Sequence, residues 1–335
     1  MLSGFPLSPF LYRASDYFIR LELGGNPKKT GTINLGVRLR IPPSFRRRLI
    51  WKLRDLASLF RPWFIVPAMF SVLAGALMAN RITGNGIDPF LLVSGFLIVG
   101  PLIGGGSIVF NQVVDLPYDT RSPTKSRLPL VRLRFNVRTA YILSFVLLAA
   151  GIVLAYYSGV VVFIGALLAS FLGFAYSHPA TRLKEVPPLG CMVNALCYGI
   201  IPVLIGWWMV DALSWSTLLM GLPLAIILAS GYMLLGLPDL GFDESTGLRT
   251  LPVLLGHRRT VLLSILLVGI SALLACVLVL PGWYPSASLV VLPILLSIMA
   301  IHWRLLDRSN IQATFNQLRY LYIVLGGIFL VSLAM

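Results

Sequence analysis

The stretch PFLLVSGFLIVGPLIGGGSIVFNQVVDLPYD at residues 89–119 begins with a long apolar run without charges and ends with two aspartates. About 20 apolar residues are enough to cross the ~30 Å hydrocarbon core of a membrane as a helix. The sequence contains nine such runs, at residues 62–80, 89–111, 139–157, 159–176, 190–210, 215–237, 260–280, 287–303 and 318–335. Because only helices and closed barrels satisfy every backbone group in lipid, we predict an all-α polytopic membrane protein with nine transmembrane helices.

The composition agrees with this fold class. Of the 335 residues, 57% are hydrophobic and only 12% are charged, whereas a soluble domain contains about 25% charged residues. These values exclude a soluble enzyme and a disordered protein, and three cysteines are too few for a disulfide scaffold. The net charge of +15 is of the kind that often indicates nucleic-acid binding. Here the basic residues alternate with apolar runs, so we expect a lipid bilayer as partner and no nucleic acid.

The distribution of basic residues predicts the orientation in the membrane. In the nine-span arrangement, every Lys and Arg except Arg81 lies on the same side as the N-terminus or within the N-terminal segment. Segments rich in Lys and Arg remain on the cytoplasmic side of a membrane. We therefore expect the N-terminus and the connections on that side to be cytoplasmic.

The chain is predicted to divide near residue 60. Residues 1–60 form a basic extension, in which residues 44–60 place four large apolar side chains on one helical face. That pattern is typical of an amphipathic helix at the membrane interface. No signal peptide is evident, but the Arg-rich, acid-poor composition leaves open a transit peptide and hence an organellar membrane. Residues 61–335 are predicted to form the transmembrane domain.

Four of the 12 acidic residues form two pairs with the same spacing, Asp115/Asp119 after the second apolar run and Asp239/Asp243 after the sixth. Two carboxylates four residues apart share a helical face and repel each other, and an Asp near hydrocarbon costs up to ~3 kcal/mol. A divalent cation would offset both costs, and Mg²⁺ prefers carboxylates, water and phosphates as ligands. We predict the four aspartates as catalytic metal ligands around a diphosphate, with Asn111 as a further ligand.

Basic residues that follow the two pairs, or that lie on a third connection on the same side, are candidates for diphosphate binding, because cations stabilise the charge that develops on such a leaving group. These candidates are Arg121, Lys125, Arg127, Lys184 and Arg249. Candidates for the substrate pocket are Tyr176, Asn194 and Tyr198, since aromatic faces shield a cation. A non-functional interpretation remains open, in which the acids balance the basic connections, the bases mark topology and the pocket candidates only pack.

At these residues the sequence resembles the UbiA superfamily of intramembrane prenyltransferases. That family carries an N-D/Q-x-x-D-x-x-x-D motif and a D-x-x-x-D-x-x-x-G motif. This chain has Asn111-Gln112-x-x-Asp115-x-x-x-Asp119 and Asp239-x-x-x-Asp243-x-x-x-Gly247. The pair Arg61–Pro62 and the segment from Tyr176 to Lys184 are similar to further family elements. The chain departs from the usual Arg-Pro-Leu-Pro-Ser-Gly after the first motif, where it has Pro-Thr-Lys-Ser-Arg-Leu-Pro and Arg127 is displaced by one position.

The resemblance implies a UbiA-like bundle over roughly residues 55–335 and a Mg²⁺-dependent transfer of a prenyl group. The donor would be a polyprenyl diphosphate and the acceptor a lipophilic, aromatic or ring-bearing molecule, as in the biosynthesis of quinone, tocopherol or chlorophyll-type lipids. Two alternatives are a terpene cyclase on the same scaffold and an ion-coupled transporter. Transporters place their sites near the membrane midplane, whereas both acid pairs lie at one face, which disfavours transport.

Overall fold

The computed structural model describes residues 53–307 and 311–335. Nine helices within these residues are long and apolar enough to span a membrane. They are α1 (Pro62–Thr83), α2 (Pro89–Asp119), α3 (Val137–Ser158), α4 (Val160–Ser177), α5 (Leu189–Trp208), α6 (Trp215–Leu234), α7 (Leu251–Val279), α8 (Ser286–Arg304) and α9 (Ile311–Ala334). The described residues contain no β-strand, so the all-α prediction with nine spans is confirmed.

Local sequence explains where several helices begin and end. Pro62 occupies the first turn of α1, where its missing N–H is not needed. The Asp88 side chain accepts hydrogen bonds from the first backbone N–H groups of α2, and the Asn136 side chain does the same for α3. Gly84 ends α1 in the left-handed conformation, with φ 71°.

Helices α2 and α7 are longer than the apolar runs predict, as is α9, which begins at Ile311 rather than at 318. Helix α2 continues beyond residue 111 to Asp119, so the first acid pair lies in its last turns. Helix α7 begins at Leu251, before the predicted start at 260, and bends at Gly256, where φ is 74°. The added turns of α2 and α7 carry polar residues. A helix that extends out of the hydrocarbon keeps its backbone hydrogen bonds and no longer needs apolar side chains.

Most of the predicted N-terminal extension lies outside the described residues. Residues 53–60 are helical, whereas residues 44–52 of the predicted amphipathic helix are not described. All nine spans belong to one unit, Asp55–Met335. The boundary near residue 60 and the interfacial location of residues 44–60 therefore stay predictions.

Two hydrophobic cores share α1 and α5. One core joins α1 to α2–α5 and contains Val72, Ile98 and Ile205. The other joins α1 and the end of α5 to α6–α9 and contains Met78 and Val268. Helices α1 and α5 thus hold the two halves of the bundle together, and the packing between them positions everything that both halves contribute.

Helices α1 and α5 approach so closely that only glycine fits at their crossing. A Cβ on Gly75 would lie 2.1 Å from the Val203 carbonyl oxygen, and a Cβ on Gly206 would lie 1.9 Å from the Val72 carbonyl oxygen. A hydrogen bond reinforces the contact. Pro202 has no N–H to donate to the carbonyl of Tyr198, four residues earlier, so this carbonyl is available to another donor. The Ser71 hydroxyl of α1 donates to that carbonyl at 2.7 Å.

The α1–α5 contact generates a stability prediction. Gly206→Ala should lower the free energy of unfolding by about 2–3 kcal/mol, because its methyl group has to displace the backbone of α1. The control Gly327→Ala lies in α9 with no atom within 4 Å of the added Cβ, and should be neutral or stabilise by up to ~1 kcal/mol through helix propensity. Thermal unfolding in detergent micelles measures both; equal midpoints for the two variants would contradict the packing argument.

Candidate active site

All four predicted aspartates line one cavity of about 500 Å³. Asp115 and Asp119 lie in the last turns of α2. Asp239 and Asp243 lie at the start and within the connecting helix Leu240–Ser245, between α6 and α7. Asp115, Asp119 and Asp243 are each less than a tenth exposed. Burying an ionised carboxylate is unfavourable unless it is paired, so the electrostatics of this site depend on the groups that pair with each aspartate.

Asp115 has one partner on its own helix and others on the connection between α4 and α5. The Asn111 amide donates to Asp115 Oδ2 at 2.9 Å and to the Ser177 hydroxyl at 3.0 Å. The Lys184 ammonium donates to Asp115 Oδ1. Burial lowers the pKa of Lys184, and the charge of Asp115 offsets part of that effect. The connection between α4 and α5 is thereby tied to the end of α2.

Lys125 bridges the two acid pairs. Its Nζ lies 2.9 Å from Asp119 Oδ1 and 3.9 Å from Asp239 Oδ2. Burial acts to lower the pKa of Lys125, but the charges of Asp119 and Asp239 outweigh it and hold the pKa above its ordinary value. The neighbouring Thr124 hydroxyl donates to Asp239 Oδ1. The α2–α3 connection therefore joins both acidic motifs.

Asp243 has the weakest set of partners. The Thr250 hydroxyl donates to Asp243 Oδ2 at 3.3 Å. Burial, followed by repulsion from Asp239, raises the pKa of Asp243 to about 6, while Lys125 partly opposes the shift. A carboxylate held this way gains from any additional positive charge at the site.

Two arginines that are not among the predicted diphosphate ligands, Arg61 and Arg182, also line the cavity. The Arg182 guanidinium lies 3.8 Å from Asp115 and 4.8 Å from the centre of the Tyr118 ring, and its Nε donates to Glu185 at 2.6 Å. Both arginines adopt left-handed backbone conformations, with φ 46° at Arg61 and 35° at Arg182. The sequence signal for Arg61 is the Arg61–Pro62 pair, which is similar to a family element but does not by itself place the side chain at the aspartates.

A buried amide explains how Arg61 reaches the cavity. The Gln112 side chain, next to Asn111 in the first motif, donates to the Leu59 carbonyl at 2.6 Å. This bond fixes the end of the 53–60 helix against α2, two residues before Arg61. Burial lowers the pKa of Arg61, while Asp119, Asp115 and Asp239 oppose the shift. The guanidinium is thus close to both acid pairs.

Three of the predicted diphosphate ligands lie elsewhere. Lys125 and Lys184 line the cavity, whereas Arg121, Arg127 and Arg249 are exposed and are not among its lining residues. The turn after α2 accounts for the difference, because Thr124 and Lys125 contact the acids while Arg121 and Arg127 on either side face away. A role for these three arginines in diphosphate binding stays a prediction.

The predicted pocket residues form the wall of the same cavity. Tyr176, Asn194 and Tyr198 all line it, and the Tyr176 hydroxyl is hydrogen-bonded to that of Tyr232. Beyond this wall the lining is apolar. It includes Ile98, Val99, Ile103, Ala166, Ile201 and Ile205. The cavity therefore has one charged end and one hydrocarbon end.

The carboxylates are suited to bind Mg²⁺ together with a phosphate, rather than to surround the ion with protein ligands alone. Among the described residues, no three His, Cys, Asp or Glu side chains converge closely enough to hold a metal ion by themselves. Mg²⁺ is usually bound through one or two carboxylates together with water and substrate phosphates. Two opposed carboxylate pairs meet that requirement when a phosphate completes the coordination.

Two curated proteins similar to this chain are protoheme IX farnesyltransferases. Protoheme IX farnesyltransferase 1 of Pseudomonas putida is 32% identical over 166 residues, 48% of this chain and 52% of that protein. Protoheme IX farnesyltransferase of Thermus thermophilus is 26% identical over 260 residues, 72% of this chain and 40% of that protein. The chain spans about half the length of these relatives or less.

Solved structures share the fold. A UbiA homologue from Archaeoglobus fulgidus, bound to DMAPP and Mg²⁺, has a TM-score of 0.64 and 21% identity, over 83% of this chain and 97% of that one. An apo UbiA homologue from Aeropyrum pernix K1 has a TM-score of 0.64 and 18% identity, over 80% of this chain and 98% of that one. The predicted UbiA-like bundle is therefore confirmed.

A sequence profile of the UbiA prenyltransferase family matches residues 68–331, which include all four aspartates and most of the nine-span bundle. The chain is a multi-pass integral membrane protein and belongs to the UbiA prenyltransferase family.

Proposed function

We propose that this protein transfers a prenyl group from a polyprenyl diphosphate, bound with Mg²⁺, to a lipophilic acceptor within the membrane. The observation that carries the proposal is the division of the 500 Å³ cavity into a charged end and a hydrocarbon end. A prenyl diphosphate has the same division, with a polyanionic head and an apolar chain. The face that holds the charged end is proposed to be cytoplasmic.

The donor set supports Mg²⁺ as the cofactor. Asp115, Asp119, Asp239 and Asp243, with Asn111 beside Asp115, would hold the ion together with diphosphate oxygens. When bound, Mg²⁺ neutralises the diphosphate and stabilises the charge that it gains as a leaving group. The solved homologue with DMAPP and Mg²⁺ supports this assignment at the level of the family.

The reaction begins with cleavage of the bond between C1 of the prenyl group and the diphosphate oxygen. Both electrons remain on the diphosphate, and an allylic cation is left. Lys125, Lys184 and Arg61 stabilise the negative charge, since a lysine ammonium has three donors and can contact an aspartate and a phosphate oxygen together. An acceptor carbon or hydroxyl then forms the bond to C1 and releases a proton.

The apolar end of the cavity protects the cation. Ile103, Ala166 and Ile205 surround the place of the chain with hydrocarbon, which excludes water that would otherwise quench the cation as an alcohol. The tyrosines of the wall add π-electron density near the charged carbon. These residues explain why the reaction takes place inside a membrane bundle.

The acceptor is proposed to be aromatic or ring-bearing. The curated relatives named protoheme IX farnesyltransferase support a ring-bearing acceptor and a farnesyl-type donor. The acceptor panel therefore contains protoheme IX beside phenolic and quinol precursors of quinone, tocopherol and chlorophyll-type lipids. Product mass separates transfer from cyclisation, because a cyclase product contains no acceptor atoms.

Neutralising an aspartate of either pair should strongly slow diphosphate release. Asp115→Asn and Asp243→Asn are each expected to lower the rate roughly a hundredfold or more, and EDTA should have the same effect on the unaltered protein. The measurement is release of diphosphate from labelled C10 to C20 prenyl diphosphates with the acceptor panel. Asp211→Asn is the control, because Asp211 contacts Asn85 in a different connection and does not line the cavity. Full activity in both site variants would refute the metal site.

Arg61 should contribute to diphosphate binding and Arg121 should not. Arg61→Gln removes a partly buried cation close to both acid pairs, and we expect kcat/KM for the prenyl diphosphate to fall roughly a hundredfold. Arg121→Gln removes an exposed cation next to the first motif, and we expect a change of less than about threefold. Steady-state kinetics on both variants, with thermal unfolding to verify folding, measures the difference. If Arg121→Gln lowered kcat/KM more than Arg61→Gln did, Arg121 rather than Arg61 would be the diphosphate ligand.

The raised pKa of Asp243 predicts a pH-dependent gain in stability when this residue is neutralised. Asp243 has an ordinary pKa of 3.8 and titrates at about 6 in the folded protein. Its ionisation therefore destabilises the fold by on the order of 3 kcal/mol. This penalty is complete above pH 6 and disappears below pH 3.8.

In EDTA, Asp243→Asn should accordingly unfold at a higher temperature than the unaltered protein at pH 8, and the difference should vanish as the pH falls to about 4. Glu244→Gln, at the adjacent exposed carboxyl, is the matched control and should leave the unfolding temperature unchanged at both pH values. A pH-independent difference for Asp243→Asn would show that burial and Asp239 do not raise this pKa.

A further inference from the structure

The connection between α2 and α3 has a strongly basic outer surface. Residues 120–136 contain five Lys or Arg and no Asp or Glu, and Arg138 follows in the first turn of α3. Of these six basic residues, Lys125 lines the cavity, whereas the other five are exposed and do not. Arg132, Arg134 and Arg138 lie within seven consecutive residues, with Leu133 between the first two. We call these four residues the outer patch.

The outer patch belongs to a folded segment. The Arg132 N–H donates to the Leu128 carbonyl and the Arg134 N–H donates to the Pro129 carbonyl, both at 3.0 Å. Leu130, within this turn, is buried in a small hydrophobic core against α2 and α3. The conformation of the outer patch is therefore set by the packing and the hydrogen bonds of the connection.

Leu133 is unfavourably placed for a residue in contact with water alone. Its side chain is 84% exposed within the described part of the chain, although burying a leucine side chain is favourable. Its φ is 54°, in the left-handed region where a Cβ is crowded by the backbone and glycine is preferred. A strained backbone thus holds an apolar side chain outside the fold, which indicates a contact with another molecule.

Arg138 gives the level of the outer patch relative to the bilayer. Tyr141, Ile142 and Phe145 follow it by three, four and seven residues and therefore share its face of α3. All three of these large side chains are exposed, as expected of a helix face in contact with lipid. Since α3 spans the membrane, Arg138 in its first turn lies where this face leaves the hydrocarbon, at the level of the headgroups.

Little negative charge within the described chain opposes these arginines. Arg134 Nη1 lies 3.4 Å from Asp55 Oδ1 in a partly exposed ion pair, and Arg132 Nε donates to the Ser126 carbonyl at 3.1 Å. Among residues 53–307 and 311–335, no carboxylate forms an ion pair with Arg132 or Arg138. At Arg138 the positive end of the α3 dipole adds to the charge. The outer patch therefore keeps a net positive charge.

We propose that the outer patch binds anionic phospholipids of the membrane that the protein spans. The three arginines contact headgroup phosphates, and Leu133 enters the hydrocarbon beneath them. Basic residues immediately outside a transmembrane helix attract anionic lipids, and apolar side chains among cations are typical of insertion at the interface. Membrane topology accounts for arginines on this face, but it gives no reason for an exposed leucine with a strained backbone.

Lipid on the outer patch would hold the connection from the side opposite the cavity. The same segment carries Lys125, whose Nζ lies 2.9 Å from Asp119 Oδ1. An anionic headgroup outside and an aspartate inside would then fix one connection between them. This lipid contact involves no prenyl diphosphate, so it is independent of the proposed transfer reaction.

Hydrogen exchange in nanodiscs tests the proposal without a substrate. The full chain is placed in discs of phosphatidylcholine alone and in discs that also contain phosphatidylglycerol. Phosphatidylglycerol should slow the exchange of backbone amides in residues 126–138 roughly fivefold. The double variant Arg132→Gln/Arg138→Gln should lose most of this slowing. The control Arg258→Gln/Arg259→Gln removes two exposed arginines near the start of α7 and should keep it.

Leu133→Gly separates the lipid contact from a role in folding. Glycine relieves the strain at φ 54°, so this variant should unfold in detergent at the same temperature as the unaltered protein or a higher one. It should nevertheless lose about half of the slowing by phosphatidylglycerol, because the apolar contact is gone. A lower unfolding temperature would show that Leu133 serves the fold and would overturn the proposal.

Three further results would overturn the lipid site. The first is an exchange rate in residues 126–138 that phosphatidylglycerol leaves unchanged, and the second is an equal loss of slowing in the Arg258/Arg259 control. The third is equal slowing in phosphatidylcholine discs by inorganic phosphate or by poly-glutamate. Phosphate would assign the outer patch to a soluble anion, and poly-glutamate would assign it to an acidic protein.

Discussion

The repulsion between four carboxylates at one end of the bundle is the constraint on which the rest of the site depends. Three of these carboxylates are almost fully buried, and a buried charge is tolerated only with compensation. The chain supplies that compensation from three separate connections. Lys125 comes from the α2–α3 connection, Lys184 from the α4–α5 connection and Thr250 from the start of α7. The aspartates thus determine how the polar connections fold over the helix ends.

The helices have to hold these connections in register, and the α1–α5 crossing does so. Within the described residues, α1 and α5 are the helices that the two larger hydrophobic cores have in common, and a glycine from each helix permits their backbones to touch. The first acidic motif belongs to the half packed around α2–α5, and the second to the half packed around α6–α9. A shift at the crossing would move one motif relative to the other and break the bridge that Lys125 makes between them.

The sequence was sufficient for the spans, the fold class and the acidic pairs, because hydropathy and a spacing of four are local properties. The sequence also pointed to Lys125 and Lys184, and both line the cavity. Lys125 follows the first motif, whereas Lys184 lies on a separate connection that is predicted to share the same side of the membrane. Arg61 shows where local reasoning ends. Its place at the cavity depends on the left-handed φ of Arg61 and on the bond from Gln112 to the Leu59 carbonyl, and no pattern in the chain encodes that contact. Arg121 shows the converse, since proximity in sequence did not bring it to the cavity.

The charge balance of the cavity explains why a prenyl diphosphate would require Mg²⁺ here. The lining contains five acidic residues, Asp115, Asp119, Asp239, Asp243 and Glu185, and four basic ones, Arg61, Lys125, Arg182 and Lys184. Lys125, Lys184 and Arg182 are already paired with these acids. A diphosphate alone would therefore enter a cavity without net positive charge, and its oxygens would face the aspartates. In the proposed reaction, divalent ions would offset this repulsion because Mg²⁺ binds carboxylates together with phosphates, so the carboxylates that repel each other would help to hold the substrate.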